Sequence, residues 1–219
     1  SAPIFEKSLA ESAGMGWTGK HTLLIHKKSG SFFVLGELFT SLELPFDSPT
    51  TAHCGSCTAC IDICPTKAIV EPYMLDARKC IAYLTIEYQG IIPVELRRGI
   101  GNRVFGCDDC QLICPWNSFA KKATIDDFNP RHDLDTVTLL DLWQWDELTF
   151  LKRTEGSPLR RTGYKSFMRN VAIGLGNASF SVKIIEQLKL KREVQSELVQ
   201  VHIDWAIQEQ LTKSQTLLN

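Results

Sequence analysis

The residues with the clearest chemistry in this chain are its eight cysteines, all of which lie between positions 54 and 114. The first group reads Cys54-x-x-Cys57-x-x-Cys60-x-x-x-Cys64-Pro65, the second reads Cys107-x-x-Cys110-x-x-x-Cys114-Pro115, and Cys80 stands between them. Thiolates are soft ligands suited to iron–sulfur clusters and to zinc. Two-residue spacers let successive thiolates converge on one centre, so the spacing predicts bound metal.

The first group matches the bacterial ferredoxin run, in which three close cysteines hold one [4Fe–4S] cube and the fourth reaches to another. The second group looks like the same run without its first cysteine, which Cys80 can supply. The ligands then divide into Cys54, Cys57, Cys60 and Cys114 for one cube and Cys64, Cys80, Cys107 and Cys110 for the other. We therefore predict two [4Fe–4S] clusters that pass electrons, with two four-cysteine zinc sites or a disulfide framework as the alternatives.

Composition and charge set outer limits on the function. The 219 residues are 44% hydrophobic and carry a net charge of −1, so any nucleic-acid contact needs a local basic face. No apolar run approaches the roughly 18 residues of a membrane span. Because the cysteines are confined to one zone and not spread as staples, we expect a cytoplasmic protein. The sequence starts at Ser1 without methionine, so we expect a fragment of a longer protein.

The sequence divides into three zones, at 1–50, 51–120 and 121–219. All the cysteines lie in the middle zone. The mixture of strand-like and helical patterns predicts an α+β chain. In the first zone we predict a helix over Ile4–Ala13 and a hairpin of two strands, His21–His26 and Ser31–Leu38. A short helix is expected near Pro93–Arg98, since proline suits a first helical turn. The last zone repeats apolar residues at helical spacing and predicts four or five helices.

Five segments make this chain resemble the epoxyqueuosine reductase family. They are Ser1-Ala2-Pro3, the run from Ala13 to His21, Cys80 to Glu87, Phe105 to Gln111, and Arg169 to Asn177. The resemblance implies a cobalamin-binding α/β region over 1–50, a ferredoxin-like two-cluster domain over 51–120 and an all-α HEAT-like repeat domain over 121–219. It also implies that the family's catalytic aspartate stands immediately before Ser1, so no catalytic residue is assigned within this chain, which could be inactive by itself.

The function implied by the resemblance is reduction of epoxyqueuosine to queuosine at the wobble position of tRNA. Electrons would pass from an external low-potential donor through two [4Fe–4S] clusters to cobalamin. The expected partner is tRNA with a GUN-type anticodon, and the protein is expected to be a monomer away from membranes. Two other hypotheses remain open: a corrinoid reductive dehalogenase-like enzyme, and a non-catalytic electron-transfer subunit with two clusters.

Contacts to cobalamin and to tRNA are expected at side chains near these motifs. For cobalamin the candidates are Leu24, Leu35, Ala82 and Thr85, although burial statistics alone favour core positions for Leu24 and Leu35, and ordinary capping is the alternative for Thr85. For tRNA the candidates are Lys7, Gln89, Arg160, Arg161, Lys165 and Arg169. The spacing of four between Arg161, Lys165 and Arg169 predicts one basic helix face for phosphates, with a solvated face as the alternative.

Overall fold

The computed structural model describes residues 4–218 and divides the chain into two compact units. The first is Ser1–Ala77 with Asp108–Asp126, and the second is Arg78–Cys107 with Asp127–Asn219. The predicted boundaries near 50 and 120 are therefore not those of the compact units. The segment from Arg78 to Cys107 belongs to the helical unit because polar side chains of that unit bind its backbone.

Short helices and very short strands alternate before a fully helical end. The helices are α1 (Glu6–Ser12), α2 (Ala59–Ile63), α3 (Ile81–Ile86), α4 (Val94–Ile100), α5 (Asp109–Leu112), α6 (Leu139–Gln144), α7 (Glu147–Arg153), α8 (Tyr164–Asn177), α9 (Val182–Arg192) and α10 (Glu197–Leu218). The strands are β1 (Trp17–Thr18), β2 (Leu24–Ile25), β3 (Ile69–Glu71) and β4 (Met74–Leu75), and 3-10 helices span Ala77–Lys79, Pro115–Phe119, Asp126–Phe128 and Pro158–Thr162. No helix within residues 4–218 is long and apolar enough to span a bilayer.

In the first unit, β1 and β2 pair in antiparallel fashion, with Trp17 opposite Ile25. A side chain at Gly16 would collide with the carbonyl of Ile25, so glycine permits the close approach of the two strands. Gly14 has φ +69° and lies against the backbone of Ser48. The glycine-rich stretch is thus a structural turn that packs on the chain itself.

The predicted strand Ser31–Leu38 is wrong. After β2 the pairing continues only as an isolated bridge between His26 and Gly30, and the residues that follow have no regular structure. Leu38 is 97% exposed, and Val34 is exposed as well. A strand needs a buried face and a paired neighbour to hold its register, and this segment has neither within its unit.

The second unit is built around α8, which packs against α6 and α10, and α9 packs in turn on α10. Its core is fully buried and contains Trp143, Phe150, Phe167, Met168 and Leu188. Thr138 and Asp141 form a capping box at the start of α6, and Asp146 caps α7. The prediction of four or five helices after residue 130 is confirmed by α6 to α10.

Polar residues of α8 also hold the backbone of the segment Arg78–Cys107. The Arg169 guanidinium donates to the carbonyls of Leu84, Tyr88 and Gly90 at 2.7–2.8 Å. Asn170 donates to the carbonyls of Thr85 and Val104, both at 2.8 Å. Buried carbonyls without donors are costly, so these side chains define how this segment folds onto α8.

His202 on α10 is a buried acceptor for the same segment. The N–H of Ile92 donates to its Nε2 at 3.2 Å, while its Nδ1 donates to the carbonyl of Leu198 at 2.7 Å. Burial lowers the pKa of His202 to about 4, helped by the positive charges of Arg97 and Arg169. The folded unit therefore requires the neutral imidazole.

A pH dependence of stability follows from His202. Because its folded pKa lies below its ordinary 6.5, its contribution is present above pH 6.5 and is lost as the pH falls toward 4. Between pH 6 and 5 the free energy of unfolding should fall by about 1 kcal/mol per pH unit from this group. Urea titrations at several pH values give the free energy of unfolding of the wild type and of His202→Gln. Between pH 6 and 5 this free energy should fall more steeply with pH in the wild type than in the variant. Equal slopes would mean that His202 is solvated in the folded state.

Candidate metal centre

Four cysteine thiols line one cavity of about 500 Å³ within the first unit. They are Cys54, Cys57, Cys60 and Cys114, and the other lining residues are mostly apolar or aromatic. The same four were predicted from sequence to hold one cube. All eight cysteines are thiols and none is in a disulfide bond.

Local structure brings these thiols together. The N–H of Cys57 donates to the carbonyl of Cys54 in a tight turn, and α2 then carries Cys60. Cys114 immediately precedes the 3-10 helix that begins at Pro115, where the missing proline N–H costs nothing. Helices α2 and α5 pack against each other, which joins the two cysteine groups.

The thiols of the cavity oppose one another's ionisation. Burial raises the pKa of the Cys60 thiol, and negative charge on Cys114, Cys54 and Cys57 raises it further. Burial likewise raises the pKa of Cys114, together with the charges of Cys54 and Cys57. Four thiolates in one apolar space repel one another unless positive charge joins them, and iron ions supply that charge.

Lys20 stabilises the loop that carries Cys54 and Cys57. Its buried ammonium donates to the carbonyls of Gly55 and Cys57 at 2.7 and 2.8 Å. Trp116, which also lines the cavity, packs edge-to-face on Trp17 with ring centroids 4.8 Å apart. Lys20, Trp116 and His21 line the cavity but were not singled out as site residues from sequence. Their signal was their position beside the cysteines and inside the quoted Ala13–His21 run.

The remaining four cysteines are distributed over the two units. Cys64 ends α2 and is not among the residues that line the cavity. Its pKa is lowered: burial opposes this, but hydrogen bonds from the N–H groups of Ala68, Ile69 and Thr66 and from the Thr66 hydroxyl outweigh it. Cys110 lies on α5 in the first unit, whereas Cys80 precedes α3 and Cys107 packs on the core of the second unit.

Among residues 4–218, no three His, Cys, Asp or Glu side chains meet closely enough to hold a single metal ion. A cubane cluster makes a different demand, because each of its four thiolates binds a separate iron. Thiolates lining one roomy apolar cavity satisfy that demand. The donor set therefore fits a [4Fe–4S] cluster.

The basic residues predicted for tRNA have different surroundings. Gly163, with φ +74°, separates the 3-10 helix that holds Arg160 and Arg161 from α8, which holds Lys165 and Arg169. The predicted single helix face is therefore wrong. Arg169 is 0% exposed, with all its donors bound inside the second unit, so the prediction that it binds tRNA is also wrong.

The other predicted tRNA residues are exposed. Arg160 donates to the carbonyl of Leu151, and Arg161 pairs with Glu87 at 2.7 Å. Lys165 projects from the first turn of α8. Gln89 accepts from the hydroxyl of Ser166, and Lys7 donates to the carbonyl of Thr22 in the first unit.

Two of the four residues predicted for cobalamin are covered by the chain itself. Leu24 is buried within the β1–β2 pair, and Thr85 is buried with its hydroxyl donating to the carbonyl of Ile81 and accepting from the N–H of Gly106. Direct corrin contact by these two side chains conflicts with this packing. Leu35 and Ala82 are partly exposed. The Ser1-Ala2-Pro3 segment lies outside the described residues.

The cysteine zone is similar to a known iron–sulfur domain. Residues 53–117 match the model of a 4Fe-4S double cluster binding domain. All eight cysteines fall inside this match, which supports the prediction of two clusters over zinc or disulfides.

Relatives cover nearly the whole chain. It is 58% identical over 207 residues to the epoxyqueuosine reductase of Xanthomonas campestris pv. campestris, covering 94% of this chain and 58% of the relative. It is 53% identical over 213 residues to that of Escherichia coli strain K12, covering 97% of this chain and 56% of the relative. The chain thus spans somewhat more than half the length of the curated relatives that it matches.

Solved structures agree with the sequence relatives. The structure of an epoxyqueuosine reductase from Streptococcus thermophilus superposes with a TM-score of 0.85 at 28% identity, covering 95% of this chain and 55% of that one. A crystal structure of an epoxyqueuosine reductase with an epoxyqueuosine-modified tRNA-Tyr stem loop gives 0.78 at 27% identity, covering 94% and 63%.

Proposed function

Along 94% of its length this chain is homologous to epoxyqueuosine reductases, and on that premise we propose that it takes part in reducing epoxyqueuosine to queuosine at the wobble position of tRNA. The observation that carries the proposal is the double-cluster domain at 53–117, which contains all eight cysteines. Cys54, Cys57, Cys60 and Cys114 would hold one [4Fe–4S] cluster. Cys64, Cys80, Cys107 and Cys110 would hold the other.

The residues of this chain would position and protect the redox groups. Bound [4Fe–4S] clusters supply one-electron transfer. The proposed reaction removes the epoxide oxygen as water and leaves a carbon–carbon double bond, so it takes up two electrons and two protons. Ile25, Pro115 and Trp116 give the cavity of the first unit apolar walls that limit water. The proton donor is assigned to no described residue, since the resemblance puts it before Ser1.

Cobalamin belongs to the proposal through the resemblance and not through the geometry. Of the four residues predicted to contact it, Leu24 and Thr85 are buried by the chain itself. The side chains described therefore do not by themselves fit a corrin. The α/β cobalamin-binding region and the HEAT-like character of α6 to α10 remain proposals on the same basis.

The proposed substrate defines the proposed partners. A structural neighbour was crystallised with an epoxyqueuosine-modified tRNA stem loop, which supports tRNA bearing a GUN-type anticodon as the partner. An external low-potential donor must supply the electrons, because the clusters only relay them. We propose a monomer in the cytoplasm, where this substrate would be met.

Two exposed basic residues, Arg160 on the 3-10 helix before α8 and Lys165 in the first turn of α8, give a test of tRNA binding. Changing Arg160 and Lys165 together to alanine should weaken binding of the anticodon stem loop several-fold. The slope of log K against log salt should become shallower by about 1 to 2, because each lost phosphate contact removes a released counterion. Fluorescence anisotropy across a salt series measures both quantities. The paired variant Lys183→Ala with Lys189→Ala on α9 is the charge-matched control, and equal effects of the two pairs would contradict a specific contact.

The proposed activity itself is tested in cells. Deleting the gene that encodes this chain should cause tRNA to accumulate epoxyqueuosine, and the intact gene should restore queuosine. The same gene carrying Cys57→Ala should fail to restore queuosine. Nucleoside mass spectrometry of total tRNA gives the readout. Unchanged queuosine after the deletion would refute the proposal.

A further inference from the structure

His21 is a buried imidazole in the wall of the cavity that holds four thiols. It is 3% exposed and lines the cavity together with Cys54, Cys57, Cys60 and Cys114. The N–H of Leu23 donates to its Nδ1 at 3.1 Å, two residues along the chain. The orientation of the ring is thus set by the backbone of its own turn.

This backbone bond decides which ring nitrogen carries the proton. Because Nδ1 accepts from a backbone N–H, the neutral imidazole must carry its hydrogen on Nε2. That Nε2 is buried and has no hydrogen-bond partner among the described residues. A buried donor without an acceptor is destabilising, so the site calls for an acceptor that residues 4–218 do not provide.

Lys20, the residue before His21, connects this part of the chain to the cysteine loop. Lys20 binds the carbonyls of Gly55 and Cys57 through its ammonium group. The backbone of Lys20 and His21 is therefore tied to the loop that carries two of the thiols. A ligand held by those thiols comes to lie beside the His21 ring.

We propose that the Nε2–H of His21 donates a hydrogen bond to a sulfur atom of the [4Fe–4S] cluster held by Cys54, Cys57, Cys60 and Cys114. This inference rests on the proposed function, in which those cysteines bind a cluster. Cluster sulfurs carry more negative charge after reduction, so an N–H donor stabilises the reduced state more than the oxidised one. His21 therefore positions and tunes the cluster by raising its reduction potential.

The test compares two histidines that make the same local bond. The N–H of Lys28 donates to Nδ1 of His26 at 3.3 Å, again two residues along, but His26 does not line the cavity. The variants are His21→Phe, His21→Gln, which keeps a side-chain N–H donor, and His26→Phe. Potentials are measured by EPR-monitored titration of the anaerobic, cluster-loaded protein. A second readout is the coupling of ¹⁵N-labelled histidine to the reduced cluster in HYSCORE spectra.

His21→Phe should lower one of the two cluster potentials and leave the other unchanged, and it should abolish a ¹⁵N coupling seen in the wild type. His26→Phe should change neither, and His21→Gln should restore most of the potential. Unshifted potentials in His21→Phe, or persistence of the coupling, would overturn the proposal. If His21→Phe fails to bind its clusters, His21→Gln and the wild-type spectrum test the proposal instead. A wild-type spectrum without any histidine coupling would also overturn the proposal. A wild type without clusters would instead refute the proposed function.

Discussion

Changing Cys60 and Cys114 together to alanine is expected to remove about half of the bound iron, because the proposal assigns both thiols to one cubane of four irons. Changing Cys60 and Cys64 together should remove nearly all of it, since the proposal assigns these two to different clusters. The structure supports this grouping: Cys60 and Cys114 line one cavity, and Cys64 does not. Iron and acid-labile sulfide per chain, measured after anaerobic reconstitution, distinguish the two double variants.

The two double variants control for each other, because both remove two thiols and share Cys60. If each cluster used only cysteines adjacent in sequence, the outcomes would exchange. The pair Cys60 and Cys64 would then spare half of the iron, and the pair Cys60 and Cys114 would lose nearly all. That exchange would contradict the assignment of Cys114 to the first cluster.

Replacing Arg169 by methionine should produce a large loss of stability without any change in surface charge. Methionine fills similar space but leaves the carbonyls of Leu84, Tyr88 and Gly90 without their donors. Each of these three buried unpaired carbonyls costs about 1–3 kcal/mol, so a total of at least about 3 kcal/mol is expected. Burial lowers the pKa of Arg169 to about 10, which leaves it charged at neutral pH. Lysine should rescue little, because it lacks the planar fork of donors.

Arg161→Met is the matched control for this prediction. Its side chain is 68% exposed and pairs with Glu87 at the surface, a contact worth less than about 1 kcal/mol. Urea unfolding followed by far-UV circular dichroism gives the free energies. If the free energy of unfolding of Arg169→Met were within about 1 kcal/mol of the wild-type value, the buried hydrogen bonds of Arg169 would not be what holds the segment Arg78–Cys107.

The sequence predicted the close spacing of Cys54, Cys57 and Cys60 and the helical end of the chain, because both depend on local spacing. Three cysteines two residues apart converge whatever surrounds them, and apolar residues at helical spacing predict α6 to α10. Cys60 and Cys114, which are far apart in sequence, were grouped by the motif, and the cavity of the first unit brings them together.

What the sequence did not reveal depends on tertiary structure. The prediction from the spacing of Arg161, Lys165 and Arg169 assumed one continuous helix. Gly163 instead separates the 3-10 helix from α8, and Arg169 is buried in the core. A buried arginine and a surface arginine look alike in sequence, since only packing decides which carbonyls they meet. The same holds for His21, whose tautomer is set by a backbone N–H.

The central claim, that these thiols bind two [4Fe–4S] clusters, is tested most directly by metal analysis of protein purified without oxygen. The account predicts about eight iron and about eight acid-labile sulfide per chain, with an EPR signal that appears on reduction. Two zinc ions per chain with no sulfide would contradict it.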